Sequence, residues 1–424
     1  MEEKRFHNLC FEISSKAFSD DSEKNMYYVC RKMFTQWKNL TDLAEQISVM
    51  TWIADGGEIL DYAGDLNDTF EWAYWIGVGE PNVPENMVIT ERMKDDQFLF
   101  PKKYRPDAAL RRFSWLKRMI EVMRETAFEM TGKKIRLIAT FDNGNEFSIS
   151  DFKYHRHTEI LKGHLGVVIC NYVLHGDTRR YAAFPNGIPE GTQFGKFLGA
   201  QFKAYSADIG YDGIWLSNGM GFGKCNWGIG GFIFDKTAFH VEGADAARSS
   251  MMDFWNSFTS AFPGVDIETR GSNFSAGIEM STDGSPLKEL YREIRIAPPV
   301  NSPWAALNFR VGRELAAWMS HIAELPGKHY PYRFYMHDPW YNNSPWLDRY
   351  GREPWDIYLP LSVSRLKEDG KVQPPDNFYL LTVDNSFGQM PDLVAREVLP
   401  HLRTAIEQAP DKCGPFLWVY PFSE

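Results

Sequence analysis

Along this chain, helical segments lead into short apolar runs, and each run ends on a polar or charged residue. The segment 113–132, for example, predicts a helix, and the apolar run 135–141 that follows it ends at Asp142. Runs of this kind predict eight strands, near residues 47, 72, 135, 213, 265, 332, 378 and 416. A repeated order of helix and strand predicts parallel strands joined by crossovers.

This order predicts an α/β fold, a (β/α)8 TIM barrel with long βα-loop insertions, and an open doubly wound sheet is the alternative. Residues 1–45 are predicted to form an N-terminal cap with a helix at about 23–38. Residues 46–424 are predicted to form one catalytic-type barrel domain. Because the sequence stops four residues after the run 415–420, we expect either that the N-terminal helix takes the place of the last outer helix or that the natural chain continues.

Charge and cysteine usage narrow the choice of partners and compartment. The formal net charge is −10 with no basic block, so neither nucleic acid nor a membrane surface is expected as a partner. The five cysteines are scattered, and the N-terminus carries no apolar stretch of the signal-peptide type. The expectation is a soluble cytoplasmic protein, or a secreted or periplasmic one if a signal was removed. The oligomeric state is left open.

Aromatic residues suggest a class of ligand. The chain has 14 Trp and 19 Tyr, and several of them fall in loop-like stretches, among them Trp340, Tyr341 and Trp346. Large aromatic faces beside amide and hydroxyl groups suit stacking on sugar rings, although packing in a core explains aromatic residues equally well. An oligosaccharide or a glycoside is therefore the expected substrate.

At the level of a superfamily, the strand ends resemble those of the (β/α)8 barrel glycoside hydrolases. The stretches that carry the resemblance are 141–146, 215–219, 268–271, 337–340 and 383–384. The resemblance implies hydrolysis of glycosidic bonds by two carboxyl groups at the carboxyl-terminal rim of the barrel. One departure is that Ser217, Asn218 and Gly219 stand at the end of the fourth strand, where many of these hydrolases have a carboxylic acid.

The predicted catalytic carboxylates are Asp384, Asp338 and Glu268, with Asp384 as nucleophile or base and Asp338 as acid. Arg270 is expected to keep Glu268 ionised, because residues two apart on a strand share a face. The remaining predicted contacts to substrate are made by Arg270, His337, Asn218, Asp142, Glu146, Trp340, Tyr341 and Trp346.

Two alternatives of other classes stay open. The first is a non-catalytic carbohydrate-binding barrel, favoured by the absent carboxylate at the fourth strand. The second is a metal-dependent hydrolase or isomerase built on His155, His157 and nearby acids, whose spacing places two imidazoles on one face of a strand. The principal interpretation requires no cofactor and no metal.

Overall fold

The structure is a computed structural model. It describes residues 4–72, 110–142, 148, 150–161, 172–217, 220, 238, 240–269, 287–294, 296–298, 300–301, 319, 322, 329–337, 357–385 and 387–419. Among the helices of these ranges, none combines the length and apolar character that crossing a bilayer requires.

The centre of the fold is a sheet of seven parallel strands. In chain order they are β1 Phe6–Ser14, β2 Ala44–Trp52, β3 Ile135–Phe141, β4 Gly213–Leu216, β5 Asp266–Thr269, β6 Pro331–Tyr335 and β7 Asn377–Leu381. Their spatial order is β6-β7-β1-β2-β3-β4-β5, and every neighbouring pair is parallel. Strands that follow one another in the chain are thus neighbours in space, as expected for repeated crossovers, except β5 and β6, which form the two edges of the sheet.

The sheet curls strongly. Tyr379 on β7 and Glu268 on β5 are separated by five strand-to-strand steps, which would span about 24 Å in a flat sheet. Nevertheless, the Tyr379 hydroxyl donates a hydrogen bond of 2.7 Å to Glu268 Oε2. The sheet therefore folds round on itself and encloses an interior lined by side chains.

The two faces of the strands have different surroundings. Odd-numbered residues of β1 and β2, such as Leu9 and Val49, belong to the main hydrophobic cluster together with residues of the helices. Even-numbered residues, such as Cys10 and Met50, form a separate cluster with Trp215 from β4. Since side chains alternate across a strand, the second cluster marks the inner face of the curled sheet.

Helices cover the outer face. The long ones are α1 Glu23–Gln36, α2 Phe113–Thr131, α3 Phe194–Ile209, α4 Ala244–Ala261 and α5 Asp392–Glu407, and the short ones are Lys38–Thr41, Gly57–Leu60, Leu287–Glu293 and Tyr358–Ser362. In α1 the buried residues are Met26, Val29, Cys30, Met33 and Phe34, the three-and-four spacing of an amphipathic helix. Because Gly199 of α3 has no side chain, α3 lies very close to Phe258 of α4: a Cβ there would be 2.5 Å from the Phe258 carbonyl oxygen.

Residues between β5 and β6 connect the two edges of the sheet. Ile296 forms a parallel bridge with Ile267 of β5, and the Ala297 amide donates to the Ile267 carbonyl at 2.9 Å. On the other side, the Asn301 side chain accepts from the Arg333 amide at 2.8 Å and donates to its carbonyl at 3.2 Å. This segment therefore contacts both edge strands, β5 and β6.

The predicted strands near 47, 135, 213, 265, 332 and 378 are confirmed as β2 to β7. The predicted strand near 416 is wrong for the described residues: they form no strand there, and Phe416 is 93% exposed. Most of the predicted strand near 72 lies outside the described residues. No strand was predicted before residue 47, yet β1 lies between β7 and β2, so the segment 1–45 assigned to a cap also contributes to the sheet.

Candidate functional site

Polar residues stand at the carboxyl ends of most strands or within three residues after them. They are Ser14 of β1, Asp55 after β2, Asp142 after β3, Ser217 after β4, His337 after β6 and Asp384 after β7, and all are buried. In a parallel sheet these ends meet at one side of the molecule, where α/β proteins place their chemistry. We call this group the carboxyl-end cluster.

Asp384 is held by the end of β1. The Ser14 amide donates to Asp384 Oδ1 at 2.9 Å, and the Ser14 hydroxyl donates to Oδ2 at 2.5 Å. Burial raises the pKa of Asp384 to about 6, against the opposing effect of the bonds from Ser14 and the charge of Lys16. This carboxyl group therefore changes protonation state closer to neutral pH than an ordinary aspartate does.

A buried lysine links the ends of β2 and β3. Lys153 donates from Nζ to the carbonyl oxygens of Asp55 at 2.9 Å and Asp142 at 2.8 Å. Burial lowers the Lys153 pKa, and the negative charges of Asp55 and Asp142 act against this shift. Asp55 has a positive φ of 54°, a conformation that is uncommon for a residue other than glycine and that is often found at functional sites.

A polar layer lies next to the carboxyl-end cluster inside the curled sheet. Arg333 of β6 donates to Glu12 of β1 twice, from Nε at 2.6 Å and from Nη2 at 2.5 Å. Trp52 Nε1 donates to Glu12 at 3.1 Å, and the Arg333 guanidinium lies 5.0 Å from the centre of the Trp215 ring. Glu12 is 0% exposed and Arg333 2%, so this is a buried, bidentate ion pair between two aromatic side chains.

The two ring nitrogens of His337, which is neutral, have different surroundings. Its Nδ1 donates to the Thr382 carbonyl at 2.8 Å, which leaves Nε2 as an acceptor. Burial lowers the pKa of His337 to about 4, although the bond to Thr382 opposes this shift. Within the described part of the chain, the buried Nε2 has no hydrogen-bond partner, so it is an acceptor available to a ligand.

Glu268 belongs to the opposite end of the sheet. Besides the bond from Tyr379, its carboxylate lies 3.4 Å from Arg136 of β3. Burial raises its pKa, whereas Arg136 and Tyr379 oppose the rise. Glu268 lines a cavity of about 530 Å³ together with residues near the amino ends of strands, among them Asn8 and Asn377. We nevertheless place the candidate site at the carboxyl ends, because several strands carry buried polar side chains there.

The structure thus groups Asp384, His337 and Asp142 at the carboxyl ends and places Glu268 at the other end of the sheet. Tyr379, which donates to Glu268, pairs with Cys10 of β1. Cys10 is four residues from Ser14, or about 13 Å along the strand. The other predicted site residues lie outside the described residues: Asp338, Arg270, Asn218, Trp340, Tyr341, Trp346 and Glu146.

Sequence reasoning did not identify Glu12, Ser14 or Lys153 as site residues. Glu12 and Arg333 are separated by 321 positions in the chain, and no local pattern connects them. The only local signal was the charged residue at position 12 within an otherwise apolar run, 9–13. Among the described residues, one group has metal-ligand spacing, namely His157, Glu159 and His175, and it lies in the connection between β3 and α3.

The fold and the site define an α/β protein with a curled parallel sheet and a buried polar cluster at the carboxyl ends of its strands. No protein-family model and no curated protein matches the chain. Among solved structures, pullulanase from Paenibacillus barengoltzii in complex with maltohexaose and α-cyclodextrin is 9% identical at a TM-score of 0.41, covering 94% of this chain and 62% of that one.

The apo form of the same pullulanase is 10% identical at a TM-score of 0.40, covering 94% of this chain and 61% of that one. An uncharacterised protein of Listeria monocytogenes is 10% identical at a TM-score of 0.38, covering 96% of this chain and 32% of that one. The chain therefore spans about three fifths of the pullulanase chain and a third of the Listeria chain. Similarity at this level concerns the coarse α/β fold.

Proposed function

We propose that the chain is a carbohydrate-active enzyme of the glycoside hydrolase type, with its site at the carboxyl ends of the strands. Asp384 carries the proposal: its carboxyl group is buried, oriented by two hydrogen bonds from Ser14, and has a pKa raised to about 6 by burial. A general acid or base works best when its pKa lies near the operating pH. Hydrolysis of glycosides relies on carboxyl groups tuned by their surroundings in this way.

In this proposal Asp384 is the nucleophile or base, and Asp338, next to His337 in the chain, is the acid. The neutral Nε2 of His337 accepts a hydrogen bond from a substrate hydroxyl. Asp142 contacts the substrate from the end of β3, with Glu146, Asn218 and Arg270 as further polar contacts, and Trp340, Tyr341 and Trp346 as stacking surfaces. Glu268 contributes its charge from the interior of the sheet.

The proposal also includes the architecture of a complete barrel. Ile296 and Ala297 bond to β5, and Asn301 bonds to the backbone of β6. We infer that this segment occupies the eighth position of a (β/α)8 barrel, between the two edges of the seven-stranded sheet. Closure at this position explains why Tyr379 and Glu268 meet across the interior.

The test is a hydrolysis screen of the wild type beside Asp384→Asn on a panel of aryl glycosides and oligosaccharides. Asp253→Asn is the matched control, because Asp253 is exposed on α4. We expect the Asp384 variant to lose roughly 10²–10⁴-fold in rate while the control keeps its rate. Full turnover by Asp384→Asn would refute the assignment.

The pH profile separates the possible roles of Asp384. If it is the base or nucleophile, it must be ionised, so the rate falls below about pH 6, the pKa to which burial raises this group. If it is the acid, the rate falls above that pH. A profile without a change near this value would contradict both roles.

A non-catalytic carbohydrate-binding protein is the second candidate. The observation that favours it is the place of Glu268 in the fold. Its carboxylate accepts from Arg136 and Tyr379 and does not form a pair with Asp384. Binding of an oligosaccharide by calorimetry, with no product from the wild type after long incubation, would support this candidate over the hydrolase.

A further inference from the structure

Three side chains with metal-binding atoms meet in the connection between β3 and α3. His157 Nδ1 lies 2.9 Å from Glu159 Oε1, and His175 Nδ1 lies 2.9 Å from the same oxygen. The ligand atoms of the three residues lie within 4.8 Å of one another. His157 is fully buried, whereas half of the His175 side chain is exposed, so the group is open to solvent on one side.

The partner of the other His157 nitrogen determines what the group can hold. Nε2 lies 3.1 Å from Asp177 Oδ2, and a carboxylate only accepts, so Nε2 carries the hydrogen. Asp177 is itself held in place by the Ile188 amide at 2.9 Å and the Tyr181 hydroxyl at 2.5 Å. In a neutral imidazole, the lone pair of Nδ1 then points at Glu159.

A lone pair on nitrogen and a carboxylate oxygen do not stay 2.9 Å apart unless a proton or a metal ion lies between them. The second imidazole at the same oxygen favours the metal. Two histidines and one carboxylate form a common donor set for zinc. Donation by the outer nitrogen of a ligating histidine to a carboxylate is the usual support of such a site.

We propose that His157, Glu159 and His175 bind a divalent transition-metal ion of the zinc class, with Asp177 orienting His157. Ligands at about 2.0–2.1 Å from a tetrahedral ion are about 3.3 Å apart, so the two distances from the histidines to Glu159, each 2.9 Å, need to lengthen only slightly. The exposed side of His175 leaves the fourth position to water. This site is independent of the proposed hydrolase.

The chain spacing alone pointed to a different pair. His155 and His157 are two residues apart, but His155 is exposed and lies outside the group. The actual partner, His175, comes 18 positions after His157 and on the other side of residues 162–171. His155 is therefore a natural control, since it is a nearby histidine in the same connection.

The experiment measures binding of Zn²⁺ by the chelator-treated, full-length protein, using competition with a chromophoric chelator and the visible absorption of Co²⁺. We expect one equivalent to bind to the wild type. His175→Gln, at an exposed position, should weaken binding at least tenfold, and Asp177→Asn should weaken it about 10–100-fold. His155→Gln should bind as the wild type does.

Another histidine pair is an alternative place for the metal to bind. His7 and His329 stack with ring centres 3.8 Å apart. Loss of binding in His329→Gln, with binding retained in His175→Gln, would overturn the proposal. Absence of stoichiometric binding by the wild type would overturn it as well. Thermal unfolding of each variant without metal distinguishes a lost ligand from a lost fold.

Discussion

Replacing Asp384 with asparagine should make the protein more stable above pH 6 while removing its proposed activity. Asparagine has nearly the same shape, and its side chain can still accept from the Ser14 amide and donate to the Ser14 hydroxyl. What it lacks is the charge, which the wild type must hold in a buried position (2% exposed). A group kept for chemistry commonly costs stability in this way.

The size of the effect follows from the pKa. Burial raises the pKa of Asp384 from 3.8 to about 6, so the folded protein holds this proton more tightly than the unfolded chain does. The free energy of unfolding therefore falls as pH rises through this window. At about 1.36 kcal/mol for each tenfold change in proton affinity, the whole fall amounts to about 3 kcal/mol. Asp384→Asn has no such loss.

The assay is chemical denaturation of the wild type, Asp384→Asn and the exposed control Asp253→Asn at pH values from 4 to 7. The stability of Asp384→Asn relative to wild type should rise by about 2.4 kcal/mol over this range, which covers most of the whole effect, and that of the control should not change. A difference that is constant with pH would show that Ser14 and Lys16 stabilise the ionised carboxylate as much as burial penalises it, and one that rises towards acid pH would show that they stabilise it more.

Two further predictions concern buried charge. Burial raises the pKa of Glu58 from 4.5 to about 8, so the wild type should lose up to about 5 kcal/mol of unfolding free energy between these pH values. Denaturation at several pH values should show that Glu58→Gln lacks this loss, whereas the exposed Glu397→Gln retains it. Arg333→Met should cost about 3–5 kcal/mol by leaving Glu12 buried and unpaired, and the double variant with Glu12→Gln should recover most of that. Equal stability of the single and double variants would contradict this.

The strands that could be predicted have local signals. β3 and β7 are short apolar runs bounded by polar residues, and burial on the outer face is sufficient to produce such runs. β1 was missed because its inner face carries Asn8 and Glu12, which face the interior of the curled sheet and not an apolar layer. The run near 416 was apolar, but apolar sequence alone does not provide a neighbouring strand to pair with.

The candidate site was predictable only as far as it follows from strand ends. Asp384, Asp142 and His337 were found because a polar residue after an apolar run has a defined place in a parallel sheet. Cross-strand partners have no such signal. Glu268 was paired with Arg270 by spacing, whereas in the described structure it lies against Arg136 and Tyr379, which come from two other strands.

The polar interior itself is an argument for function. A sheet that needed only stability would fill its inner face with apolar side chains, because a buried ion pair seldom contributes more than well-packed hydrophobic residues. Here Glu12 and Arg333, with Trp52 and Trp215 beside them, form a layer between the carboxyl-end cluster and the cavity near Glu268. On β1, Glu12 lies between Cys10 on one side and Ser14 on the other. The layer therefore separates two polar regions, and a ligand at the Asp384 end meets Glu12 and Arg333 before it can reach Glu268.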